Sequence, residues 1–292
     1  MNFFLIQVLN QYEINKAKIG ALVFDTTSLN TGHKNGIVVR LEREFGRSLL
    51  QLECRHHILE LVCGAACSLI YGQTTGPKEE FFKKLKNNWN EFELDDYAHI
   101  EIPHHQRELT RHTKEMITFL QEWIKKSTKQ SLRHDYLDLG TFTLLFLGGT
   151  IPKNLRNVTI KSPGAYHHAR WMSKVLYTLK IALLKKQLGK YYKSEHLEDI
   201  YNLAIFLSLF YTKAWLTCTD AANSPSNDLE LMKKLLKAEA SIEKNPNSWP
   251  AKFLSLVKLA REKLEKHLGY LSERLVPLAL FSDRVPSSEK KK

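Results

Sequence analysis

Ile19-Gly20-Ala21-Leu22-Val23-Phe24-Asp25, followed by Thr26-Thr27-Ser28-Leu29-Asn30-Thr31-Gly32, is the stretch on which the fold turns. A continuous apolar run this short, ending in a carboxylate and followed by loop-forming residues, predicts a buried strand that opens into a polar loop. Downstream, Ile37, Val38, Leu41 and Phe45 recur at helical spacing as far as Gly46. Leu49-Leu50-Gln51-Leu52-Glu53-Cys54 is then again short, apolar and extended. Strand, helix, strand predicts a right-handed crossover in a parallel sheet, which places Asp25 and Cys54 at the carboxyl ends of neighbouring strands. A helix over His56–Tyr71, closed by Gly72, follows.

From Pro77 onward the periodicity is three to four residues and no strand pattern survives. Helices are predicted over 78–93, 104–127, 134–147, 165–188, 195–217, 228–242 and 250–268, with breaks at Gly148-Gly149, Ser162-Pro163-Gly164, Asn223-Ser224-Pro225 and Asn245-Pro246. The predicted class is α/β with a predominance of α. A small α/β piece spans 1–76, a helical region spans 77–282, and 283–292 form a disordered basic tail.

A chain of 292 residues, 43% hydrophobic, has the material for a sizeable core. Its net charge of +12 favours polyanionic partners, because excess Lys and Arg gather phosphates before any specific contact forms. The lysines are scattered, as at Lys83, Lys125, Lys185, Lys233, Lys234 and Lys237, on what read as solvated helix faces. Cys54, Cys63, Cys67 and Cys218 read as reduced thiols, and the amino terminus lacks the basic region and cleavage site of a signal peptide. No stretch is apolar for long enough to span a bilayer. The expectation is an intracellular protein, nuclear or cytoplasmic, with no membrane partner.

Three clusters carry candidate chemistry. Asp25 faces the crevice where open α/β sheets bind ligands, and as a hard oxygen donor it suits Mg²⁺ or Mn²⁺ in phosphoryl transfer. The alternative is that its side chain caps the following loop. Cys54 and His57 form a C-x-x-H unit, with Glu60, Cys63 and Cys67 on the next helix. These are zinc-binding residue types without a second paired arm, so packing at a strand-to-helix turn competes with metal binding. Around Tyr166-His167-His168-Ala169-Arg170-Trp171-Met172-Ser173-Lys174, aromatic and cationic groups crowd one helix start. Arg170 and Lys174 lie four apart and suit a phosphate backbone, while the alternative is a Trp171 anchor flanked by solvated charges. With Arg55 they make up the candidate nucleic-acid contacts.

Val23-Phe24-Asp25-Thr26-Thr27-Ser28-Leu29-Asn30-Thr31-Gly32, Cys54-Arg55-His56-His57-Ile58-Leu59-Glu60-Leu61 and Ala169-Arg170-Trp171-Met172-Ser173 form an ordered set. In this the chain resembles hAT-superfamily DNA transposases and their transposon-derived relatives. The resemblance implies a partial RNase H-like core interrupted by a helical insertion. It implies that Asp25 is the second of three catalytic acids, that Asn30 belongs to the polar loop, and that Cys54 and His57 form the structural turn. Mg²⁺ or Mn²⁺ would be the cofactor and DNA the partner. The family's first acid lies on an earlier strand, whereas Glu13 is the single acid before Asp25 here, and Glu273 is the one late candidate for the third. The expectation is therefore a truncated, catalytically incomplete relative with residual DNA binding. Its rival is a non-catalytic nucleic-acid-binding or protein-interaction module, whose exposed apolar edges would drive homo-oligomerisation.

Overall fold

The computed structural model describes residues 2–25, 27–32, 34–72, 80–127, 133–152, 160–163, 171–218 and 224–266. The chain divides into two compact units, the first built on residues 1–58 and the second on 59–264. That division falls inside a helix, earlier than the change of character expected near 76. The expected boundary, part of the 165–188 helix start and the basic tail lie outside the described residues.

The first unit runs α1 (Asn2–Gln11), β1 (Ala21–Phe24), α2 (Ser28–Thr31), α3 (Ile37–Phe45) and β2 (Leu50–Glu53), then enters α4 (Arg55–Tyr71). β1 and β2 form a two-stranded parallel sheet in the register Ala21↔Leu50 to Phe24↔Glu53, as the strand, helix, strand pattern predicts. β1 is not the buried strand expected: its residues alternate between exposed and half-buried, because a two-stranded sheet lacks the layers that cover both faces. α3 is amphipathic and buries Val38 and Leu41. It stops at Gly46, whose φ of +65° is open to glycine at little cost. There the Gly46 N–H donates to Arg43 O at 3.2 Å and the Arg47 N–H to Glu42 O at 3.1 Å, closing the last carbonyls.

Two side chains of that turn set where each strand begins. The Arg47 guanidinium donates to Lys16 O at 2.8 Å, to Ala17 O at 3.2 Å and to Ile19 O, tying down the segment that leads into β1. Glu42 Oε1 accepts the Leu49 N–H at 3.0 Å at the entry to β2. Before α3, Gly36 allows a close crossing, since a Cβ there would lie 2.6 Å from Asn30 O and from Gly32 N and O. The loop after β1 is thus pressed against the start of α3.

The second unit holds most of α4, then α5 (Glu80–Asn87), α6 (Arg107–Ser127), α7 (His134–Phe146), α8 (Trp171–Leu183), α9 (Ser194–Phe206), α10 (Thr212–Thr217), α11 (Ser224–Lys244) and α12 (Phe253–Glu265). α6, α7, α8 and α9 pack in chain order. Their core is aromatic: Phe206 stacks on Phe210 at 5.4 Å, Trp249 on Phe253 at 5.3 Å, and Phe146 meets Tyr201 edge-on at 5.4 Å. An extended segment is laced to helix ends, with the Ala98 N–H donating to Leu183 O and the Ile100 N–H to Phe146 O, both at 2.7 Å.

Two departures from the periodicity have local causes. The helix expected over 250–268 starts at Phe253, because Lys252 takes a φ of +63° that no helix accommodates. The helix expected over 195–217 contains a π turn at Leu207–Tyr211. Beyond it the Thr212 hydroxyl donates to Leu207 O at 3.2 Å and lies 3.2 Å from the Thr143 hydroxyl.

Candidate functional site

The carboxyl edge of the sheet brings together Asp25, Asn30, Cys54 and His57. Because Phe24 pairs with Glu53, Asp25 and Cys54 leave adjacent strands side by side. The Cys54 N–H donates to Phe24 O at 2.7 Å, and Cys54 O accepts the Ile58 N–H at 3.1 Å, so this residue ends the sheet and opens α4. Cys54 and His57 are half-buried.

Asp25 is exposed, and its Oδ1 is occupied. It accepts the Thr27 N–H at 3.1 Å, the Thr27 hydroxyl at 2.7 Å and the Asn30 side-chain amide at 2.7 Å. Asn30 Nδ2 also lies 3.3 Å from the Asp25 carbonyl oxygen. This is a loop cap built by an acidic side chain, and it leads directly into α2. The Thr27 hydroxyl and N–H are the main cause that holds the carboxyl below its ordinary range, with Asn30 and the field of His57 adding to them. Asp25 is therefore a fixed anion at neutral pH.

The divalent ion that the transposase resemblance implies finds a poor donor set here. With three donors on Oδ1, a metal could approach Asp25 only through the other oxygen, and a Mg²⁺ or Mn²⁺ pair needs several carboxylates. Among the described residues no group of three His, Cys, Asp or Glu side chains is arranged to hold a metal. Glu273 lies outside the described residues.

On α4, Cys63 and Cys67 have their sulfurs 3.7 Å apart and are fully buried. Burial pushes the Cys63 thiol well above its ordinary range, which makes it a core side chain and a poor metal ligand. Lys174 corrects the expected phosphate-gripping face. It is buried, only 9% exposed, and its charge acts on Cys63. Arg170 lies outside the described residues, Trp171 opens α8, and Arg55 is half-buried in the first turn of α4.

The periodicity carried no signal for a second group of residues, in which ionisable side chains enter the aromatic core. His112 sits 5.8 Å from the Trp249 ring and 6.3 Å from that of Phe210, and burial lowers it to about 4. The Lys180 ammonium lies 5.7 Å from Trp89, 5.5 Å from Phe142 and 5.7 Å from Tyr177. Burial lowers it to about 8. Lys234 is half-buried, with its ammonium 5.2 Å from the Phe210 ring centroid.

No known protein family, curated protein or solved structure matches the chain. No described helix is long and apolar enough to cross a membrane.

Proposed function

We propose that the chain is a transposon-derived, intracellular relative of DNA transposases that binds DNA through its positive charge and does not cut it with the residues described. The supporting observation is the adjacency of Asp25 and the Cys54–His57 turn at the carboxyl edge of a parallel strand pair, the order and place that the resemblance implies. The engagement of Asp25 Oδ1 by Thr27 and Asn30 supports a capping role for that carboxylate. The net charge of +12 supplies the attraction for phosphate. Nuclear residence would bring it to this partner.

Anisotropy of labelled duplex DNA, measured across rising salt, tests the binding. The expected result is affinity that falls steeply as counterions are retained, roughly tenfold or more between 50 and 200 mM salt. Undetectable or salt-insensitive binding would overturn it. Metal-dependent nicking by the purified chain, lost in Asp25→Asn, would overturn the non-cutting half.

A second reading is favoured by the first unit's surface. There Val23 is 75% and Phe4 67% exposed, and an apolar groove of about 490 Å³ is lined by Leu5, Leu9, Leu22, Ile37 and Phe45 among others. Such a surface suits self-association.

A further inference from the structure

α11 carries one helical spacing twice. Leu231, Leu235, Ala238 and Ile242, at i, i+4, i+7 and i+11, are buried and give the helix its packed face. Leu229, Lys233, Leu236 and Ala240 repeat that spacing on the opposite face, and all four are exposed. Leu229 is 43% and Leu236 48% exposed, and among the described residues of the second unit Leu69 is the single other large apolar side chain so placed. The packed face of α11 is complete without these two leucines, so the core does not account for them.

The charges of this helix are unequally used. Each of its exposed or half-buried carboxylates is held by a neighbouring helix, Glu230 by Lys213 of α10, Glu239 by Arg261 of α12 and Glu243 by Lys258 of α12, all at 2.7 Å. Lys233, Lys237 and Lys244 follow one another at four and seven residues along one flank of the outer stripe. They are exposed and form no ion pair among the described residues. The outer face of α11 is thus a short apolar stripe beside a row of unpaired cations.

We propose that this face of α11 docks an acidic amphipathic helix of a partner protein. Leu229 and Leu236 lie two turns apart, about 10.5 Å along the axis, and so match apolar side chains spaced by seven residues on a second helix. The stripe from Leu229 to Ala240 covers about three turns, which a partner segment of roughly 14 residues spans with a margin at each end. Carboxylates along one flank of that segment meet Lys233, Lys237 and Lys244, which sets its orientation and rejects a basic partner.

The apolar stripe and the cations together favour this partner over duplex DNA. A phosphate backbone satisfies the three lysines but offers nothing apolar to Leu229 and Leu236. An α11 face set against its own copy is disfavoured as well, because it brings unpaired lysines together with no carboxylate left to offset them.

The test titrates the full chain into a fluorescein-labelled synthetic helix of about 14 residues, with leucine at every third or fourth position and glutamate along one flank, and reads anisotropy. The expected result is saturable binding to the wild type and none of a scrambled peptide of the same composition. Leu229→Gln and Leu236→Gln should each weaken binding roughly tenfold with the unfolding midpoint unchanged. Lys233→Gln and Lys237→Gln should weaken it several-fold at low salt and little at high salt. No binding of the probe, or equal binding of the scrambled peptide, would overturn the proposal, and both readings come from the wild-type chain. So would binding that the leucine variants leave intact. Duplex DNA whose affinity falls in the lysine variants while the probe stays unbound would assign Lys233 and Lys237 to phosphate instead.

Discussion

The two units make opposite use of polarity. The first exposes apolar side chains such as Phe4, Val23 and Leu50 and places its principal anion, Asp25, in solvent. The second buries aromatic side chains and takes His112 and Lys180 in with them. The difference follows from size. A two-stranded parallel sheet with one crossover helix has too few layers to cover itself, whereas successive packed helices enclose a core large enough to trap polar groups. Stability should therefore be concentrated in the second unit, and surface chemistry in the first.

The largest expected effect is on that core. Phe253 is fully buried and packs on Phe206, Phe210 and Trp249, so Phe253→Ala should cost about 3–5 kcal/mol. Leu41→Ala, in the first unit, should fall nearer the low end for such changes, about 2 kcal/mol, because Leu41 borders an existing groove. Urea midpoints measure both. Equal losses would break the comparison.

Next comes the pH response of the second unit. His112 is 8% exposed and neutral in the fold down to about pH 4, while an unfolded chain protonates it near 6.5. Between those values the unfolded state binds more protons, so stability falls as pH drops through that window, by about 1–3 kcal/mol. His112→Gln should flatten this slope. A slope unchanged in the variant would assign the acid sensitivity elsewhere.

Much of the first unit was legible in the sequence. Short apolar runs on either side of an amphipathic segment ending at Gly46 admit few structures other than the observed β1, α3 and β2. The competing roles of Asp25 were also legible, since Thr27 and Asn30 stand where a cap needs them. The π turn was not, because Leu207-Ser208-Leu209-Phe210-Tyr211 keeps an ordinary helical composition. Nor was the burial of Lys174 or the half-burial of Lys234. Lys234 sits between Lys233 and Lys237 in sequence, both of them exposed, and what draws its amine inward is a carbonyl on another helix. Spacing records the faces of one helix, and these features belong to pairs of helices.

A smaller effect separates capping from catalysis at Asp25. Asp25→Ala removes the acceptor shared by Thr27 and Asn30 and should cost about 1 kcal/mol, whereas Asp25→Asn retains an oxygen there and should cost a few tenths. The wild-type carboxyl is held below 3.8, so its contribution is present above that pH and lost as pH falls through the lower folded value. Solvent screening keeps that contribution small. Equal destabilisation by both variants would argue that the charge, and not the cap, matters at this position.

The smallest change in stability should come from Val23→Lys, and it bears most directly on the first unit's surface. Val23 is 75% exposed on β1, so its replacement should alter unfolding stability by no more than about 0.5 kcal/mol. A lysine on a short strand nonetheless opposes edge-to-edge pairing and interrupts the apolar surface. If the exposed apolar side chains of the first unit drive self-association, sedimentation velocity should show a concentration-dependent oligomer for the wild type and a monomer for Val23→Lys. A wild type that stays monomeric over the whole range would remove the self-association reading. The exposed apolar surface would then be what a small sheet with too few layers leaves uncovered.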